Sequence, residues 1–88
     1  MNTIFDIEGG EIRLLIPVSR LDRVQFGGAG ADVRLFFDGL IKTIMLNLEP
    51  SKREGFANWL SQELSDPRGD GRIRLSLNSG HGITEIMW

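Results

Sequence analysis

The dipeptide Asp38-Gly39 stands between two apolar segments and is the feature that most constrains the fold of this chain. Asp-Gly is typical of the two-residue type I′ turn, because both central positions of that turn require a positive φ. The flanking segments, residues 33–37 and 40–48, are rich in β-branched and aromatic side chains and predict two strands. A two-residue turn here places Phe36 opposite Ile41, on the same face of an antiparallel hairpin.

A second hairpin is predicted near the N-terminus, around Gly9-Gly10. A two-residue loop at this position pairs Ile7 with Ile12 on one face and sets Asp6 opposite Arg13 on the other. Two features of the sequence thus agree on one register. Residues 18–26, which follow this hairpin, remain ambiguous, since both a short helical turn and a strand fit them.

A third hairpin is predicted at the C-terminal end. Residues 72–77 alternate apolar and polar side chains, and a four-residue loop at 79–82 pairs Leu75 with Ile86 and Ile73 with Trp88.

The helix pattern lies at residues 51–65. Ser51 and Glu54 have the spacing of a capping box, and an apolar stripe at helical spacing follows. The members of this stripe are Phe56, Leu60 and Leu64, joined by Ala57 and Trp59. The order of elements predicts a single α+β domain over residues 1–88. We expect an antiparallel sheet of five to six strands, built from three hairpins, with the helix packed on one face.

Composition excludes several classes of protein. Ten basic and twelve acidic residues leave a net charge of −2, which disfavours a duplex-DNA binder because such proteins rely on neutralising phosphates. The sequence has no cysteine, and therefore neither disulfides nor thiolate chemistry. No apolar run has the length of a membrane span, and no signal peptide is visible, so we expect a cytoplasmic protein without a membrane partner.

The residues that carry chemistry are few. His81 is the only histidine, and it has no evident acidic partner to orient it for catalysis. The glycine-rich residues 27–30 are not followed by the Lys-Ser or Lys-Thr of a phosphate-binding loop. We therefore expect no catalytic, cofactor or metal site, and we expect that the protein is not an enzyme.

The outer face of the predicted sheet is more informative, because it combines apolar and arginine side chains where a solvated face is usually polar. We predict that this surface binds a partner. The candidate residues are Arg13, Arg34, Phe36, Ile41, Met45, Arg72 and Arg74. Two alternatives remain open at this point: residues 17–32 fold over the face and complete a second core layer, or the face forms a homodimer.

The sequence favours a non-catalytic protein-binding module that acts through a sheet face or through pairing at an edge strand. In size, mild acidity and lack of catalytic groups, it is similar to small phage and mobile-element inhibitors of host defence, such as anti-CRISPR proteins. That similarity concerns format alone and includes no matching residues. The alternative is a single-stranded nucleic-acid binder that uses the arginines and Phe36.

Overall fold

The computed structural model describes residues 3–27, 32–39, 43–66, 69–77 and 79–88. Seven strands and one α-helix form within these ranges. In chain order they are β1 (Ile4–Gly9), β2 (Ile12–Pro17), β3 (Leu21–Phe26), β4 (Asp32–Phe37), β5 (Ile44–Leu48), α1 (Arg53–Ser65), β6 (Arg72–Ser76) and β7 (Ile83–Met87). Short 3-10 turns at Val18–Arg20 and Pro50–Lys52 precede β3 and α1. The predicted helix is therefore confirmed, and residues 18–26 contain both a turn and a strand.

The strands form two sheets, one with the order β2-β1-β6 and one with the order β3-β4-β5-β7. All neighbouring strands are antiparallel except β1 and β6, which are parallel. This arrangement confirms the α+β class and the antiparallel character of the sheets. It differs from the expected architecture because the strands divide between two sheets instead of joining one.

The division arises at the expected third hairpin, whose two strands do not pair with each other. Strand β6 pairs with β1 and places Ile73 beside Phe5 and Leu75 beside Ile7, all of them buried. Strand β7 pairs with β5 instead, so that Ile86 lies opposite Leu46. Each strand thus extends an existing apolar sheet face, and this buries more apolar surface than an isolated hairpin would.

One hydrophobic core fills the space between the inner faces of the two sheets, and α1 contributes to it. The rings of Phe5 on β1 and Phe37 on β4 meet edge to face with their centroids 5.5 Å apart, so they join the two sheets directly. The helix adds Phe56 and Leu60, both buried. No helix in the described ranges is long and apolar enough to cross a membrane.

The first two hairpins form, but their registers differ from the prediction by two residues. In the first, Arg13 lies opposite Glu8 instead of Asp6, and in the second, Arg34 lies opposite Met45. A shift of two residues leaves every side chain on its expected face, because side chains alternate with a period of two. The inward and outward assignments within these hairpins are therefore retained.

Candidate functional site

The predicted site residues lie on two surfaces. Arg34, Phe36 and Met45 lie on the outer face of the four-stranded sheet. The other three arginines, Arg13, Arg72 and Arg74, lie on the outer face of the three-stranded sheet. Ile41 lies outside the described residues. The prediction of one continuous surface is wrong, because β6 joins β1 in a separate sheet and carries its arginines there.

We call the outer surface of the β3-β4-β5-β7 sheet the four-stranded face. The strand register assigns to it the side chains that alternate with the buried ones. They are Arg23, Gln25, Asp32, Arg34, Phe36, Thr43, Met45, Asn47, Glu85 and Met87. Within the described part of residues 17–32, β3 pairs alongside β4 in the same sheet and does not form a second layer over this face.

The centre of the four-stranded face is apolar and only half-buried. Phe36 and Met45 line a shallow cavity of about 210 Å³ together with Arg34 and Thr43. Met87 lies directly opposite Met45 across the β5–β7 pair, so that two methionines and one aromatic ring share the surface. Methionine side chains adapt their shape readily and are common at surfaces that bind partners.

Two arginines flank this apolar centre. The Arg23 guanidinium carbon lies 4.0 Å from the centroid of the Phe36 ring, which is a cation–π contact. Arg23 and Arg34 also face carboxylates, with Nη1–Oδ2 of Asp22 at 3.7 Å and Nε–Oδ2 of Asp32 at 3.4 Å. Ion pairs that are this long and this exposed contribute little to stability. Both guanidinium groups can therefore turn to the carboxylates of a partner at low cost.

The opposite side of the four-stranded face is neutral to acidic. Asn47 Nδ2 donates a hydrogen bond to Glu85 Oε1 at 2.8 Å, across the pair of β5 and β7. Among the side chains assigned to it, the face thus has two arginines and the carboxylate of Asp32 on the β3–β4 side, and the carboxylate of Glu85 on the β7 side. The first side is therefore net positive and the second net negative. This asymmetry gives a bound surface a preferred orientation.

The outer face of the three-stranded sheet has a different character, because its arginines are held by its own carboxylates. Asp6 is 6% exposed and accepts hydrogen bonds from Arg13 Nε at 2.8 Å and from Arg13 Nη2 at 2.7 Å. Arg72 Nη1 lies 3.4 Å from Asp6 Oδ2, and Arg74 Nη2 donates to Asp70 Oδ2 at 2.6 Å. The Arg13 hydrogen bonds, aided by the charges of both Arg13 and Arg72, hold the pKa of Asp6 below its ordinary value.

We expect Asp6→Asn to lower the free energy of unfolding at pH 7 by about 1.5–3 kcal/mol, the range for a hydrogen bond to a charged group. Because the folded-state pKa of Asp6 lies below its ordinary value of 3.8, the stabilisation is complete above that value. It disappears as the pH falls through the folded-state pKa. Urea unfolding from neutral pH down through this range should show the free energies of unfolding of wild type and Asp6→Asn converging in acid. In the control, Asp22→Asn, the loss at neutral pH should be much smaller, and a constant gap between Asp6→Asn and wild type would contradict the assignment.

The side chain of His81 packs against the helix α1. Its ring stacks on Trp59 of α1 with a centroid distance of 3.9 Å and an interplanar angle of 23°. Burial against this helix lowers the pKa of His81. In the described ranges no cluster of three or more histidine, cysteine, aspartate or glutamate side chains could hold a metal ion. The sequence offered no signal for the His81–Trp59 contact, since the two residues lie 22 positions apart.

Only Gly27 of the glycine-rich residues 27–30 lies within the described ranges, because residues 28–31 are outside them. The Gly27 carbonyl accepts a hydrogen bond from the Arg53 guanidinium at the beginning of α1. Arg53 also lines a cavity of about 350 Å³ with Phe26 and Pro50. This contact ties the end of β3 to the helix.

Together, the fold and the site define a small α+β domain with two sheets around one core and an arginine-flanked apolar face on the larger sheet. No protein-family model matches the sequence, and searches of the curated proteins and of the solved structures find no match.

Proposed function

We propose that this protein is a non-catalytic protein-binding module that uses the four-stranded face. The observation that carries the proposal is the half-buried centre of Phe36 and Met45 flanked by Arg23 and Arg34. Aromatic, methionine and arginine side chains are enriched in protein interfaces, where they bury large areas and form forked hydrogen bonds. A solvated sheet face without a partner would be expected to be polar at these positions.

The charges on this face specify the chemistry of the partner. A protein surface with an apolar side chain beside one or two carboxylates would fill the shallow cavity and take over Arg23 and Arg34 from Asp22 and Asp32. The carboxylate of Glu85, on the far side, would disfavour a second acidic group there and so set the orientation.

Binding of single-stranded nucleic acid has less support. Five arginines pair with carboxylates of the chain itself, namely Arg13, Arg23, Arg34, Arg72 and Arg74. Three of these arginines, Arg13, Arg72 and Arg74, lie on the other sheet and are held by Asp6 and Asp70. Among the five, this leaves the loosely paired Arg23 and Arg34 to exchange a carboxylate for a phosphate at low cost, fewer than a nucleic-acid strand usually requires. The net charge of −2 adds general repulsion. Phe36 is the one aromatic side chain assigned to the four-stranded face, whereas single-strand binders stack successive bases on several rings.

Within this proposal, the protein acts in the cytoplasm, and its partner is a component of a host defence complex that a phage or mobile element needs to inhibit. The support for this narrower statement is the small size of the chain, its mild acidity and its lack of an evident catalytic group. A protein with these properties can inhibit a complex by covering part of the surface of that complex. The identity of the captured partner decides this part of the proposal.

The test is affinity capture from the native host, followed by mass spectrometry, with three baits. The first bait is wild type, the second carries Phe36→Ala with Arg34→Glu, and the third is a matched control with Leu77→Ala and Arg74→Glu. The control also removes one apolar side chain and reverses one arginine, but it leaves the four-stranded face intact. Circular dichroism establishes that all three baits are folded.

We expect a protein that wild type and the control retain at moderate salt and that the variant of the four-stranded face loses. A set of captured proteins that is the same for all three baits would contradict the proposal. Recovery of nucleic acid that elutes steeply with salt would favour the alternative function, because phosphate contacts depend strongly on ionic strength.

A further inference from the structure

Strand β2 is an edge of the three-stranded sheet, and it has few of the features that usually protect an edge from pairing. It runs for six residues beside β1 without a register shift, and its proline, Pro17, stands at the last position. Natural edges are blunted by bulges, by charged side chains or proline along the edge, by inward-pointing charges or by shortness. The two edges of the four-stranded sheet show such irregularity, with a register shift on the β3 side and another on the β7 side.

The β2 edge also exposes apolar side chains on both faces of its sheet. Ile12 is 44% exposed and Leu15 is 52% exposed, and these are two of the three large hydrophobic residues that are exposed in the described ranges. Arg13 is the one charged residue of the strand, and its guanidinium is held by Asp6 of the neighbouring strand. The backbone and the side chains of this edge therefore both suit an added strand.

We propose that β2 pairs antiparallel with β2 of a second copy of this chain, across a two-fold axis. The two three-stranded sheets then become one continuous sheet of six strands. In the register with Leu14 on the axis, Ile12 faces Ile16 of the second copy and Arg13 faces Leu15 of the second copy. No like charges oppose each other, the exposed leucine is covered, and the proline stays outside the five paired positions.

The sequence of β2 is what favours a second copy over another partner. A two-fold antiparallel pair must be complementary to itself, and a strand with a single charge away from its centre meets this condition. The interface is also separate from the four-stranded face, because it lies on the other sheet. The proposed dimer and the proposed binding function can therefore be tested independently, and the failure of one does not contradict the other.

The test is sedimentation velocity over a wide range of protein concentration with wild type, Leu15→Lys and the control Leu77→Lys. Leu15 is exposed, so the substitution should not disturb the fold, and circular dichroism checks this. In the paired state the introduced ammonium would oppose Arg13 of the second copy. We expect Leu15→Lys to weaken the dimer at least roughly tenfold, which corresponds to about 1.4 kcal/mol, and Leu77→Lys to leave it unchanged.

A second measurement locates the interface directly. Backbone amides of β2 should exchange more slowly with deuterium as the protein concentration rises, while those of β3 should not change. A wild-type protein that stays monomeric at every concentration would overturn the proposal, as would a dimer that Leu15→Lys leaves intact. If the chain is monomeric and Leu15→Lys abolishes capture of another protein, the edge takes a strand of that protein instead.

Discussion

Replacing Phe5 by alanine should lower the free energy of unfolding by about 3–5 kcal/mol, the largest single effect we expect in this chain. Phe5 has no exposed surface, and its ring meets Phe37 across the space between the two sheets. The substitution removes an aromatic contact between the two sheets and leaves a cavity that the surrounding side chains close only in part. Small domains have only about 5–15 kcal/mol of stability in total, so the variant is expected to unfold well below the wild-type temperature.

Urea unfolding followed by tryptophan fluorescence measures this loss, with Phe36→Ala as the matched control. The control makes the same substitution in a phenylalanine on the outer face, where the side chain is half-buried and the space left behind is open to water. If Phe5→Ala proves too unstable to fold, Phe5→Leu keeps the measurement possible with a smaller loss. Equal losses for Phe5→Ala and Phe36→Ala would mean that the core does not lie between the sheets as described.

Leu60→Ala should lower the free energy of unfolding by about 2–5 kcal/mol. Leu60 is 2% exposed and, together with Phe56, anchors α1 to the core shared by the sheets. The helical spacing places the neighbouring Trp59 in the same apolar stripe, but its side chain is half-buried and stacks on His81 at the surface of the core. We therefore expect a smaller loss from Trp59→Ala than its size alone would suggest.

Thermal unfolding compares Leu60→Ala with Ser61→Ala, which changes the adjacent exposed position of the same helix. The melting temperature should fall strongly for the first and barely for the second. An unchanged melting temperature for Leu60→Ala would show that the helix does not pack on the sheets.

Local patterns in the sequence predict the elements of this fold well. Residues 51–65 carry the helical stripe, and the strands on both sides of Asp38-Gly39 form next to each other. The first hairpin predicts a contact between Asp6 and Arg13, and this contact forms although the register differs by two residues. A diagonal pair of side chains on the same face lies within reach of a long arginine, so the error in register does not remove the contact.

Partners that are distant in sequence could not be read from the same patterns. The pairing of β6 with β1 joins Phe5 to Ile73 across most of the chain, and nothing local in either strand specifies it. Alternation states which side of a strand is apolar, but it does not state which sheet the strand joins. For this reason the sequence predicts one surface for the outward arginines, whereas Arg34 and Arg74 lie on different sheets.

The start of the helix also shows the limit of a local sequence signal. Ser51 and Glu54 have the spacing of a capping box, yet Ser51 lies in the 3-10 turn and α1 begins at Arg53 without a side-chain cap. The turn at Pro50–Lys52 therefore leads the chain into the helix by itself. The spacing located the start of the helix to within about two residues, which is the usual uncertainty of such boundaries.

Of the two arginine-bearing surfaces, the four-stranded face is the one that we propose binds the partner. Isothermal titration calorimetry, with the captured partner and with wild type and two variants of this protein, tests this proposal most directly. We expect Phe36→Ala with Arg34→Glu to weaken binding more than roughly tenfold, or about 1.4 kcal/mol, and Arg74→Glu to leave the affinity essentially unchanged. A loss of affinity in Arg74→Glu, with none in the variant of the four-stranded face, would overturn this proposal and assign the function to the three-stranded sheet.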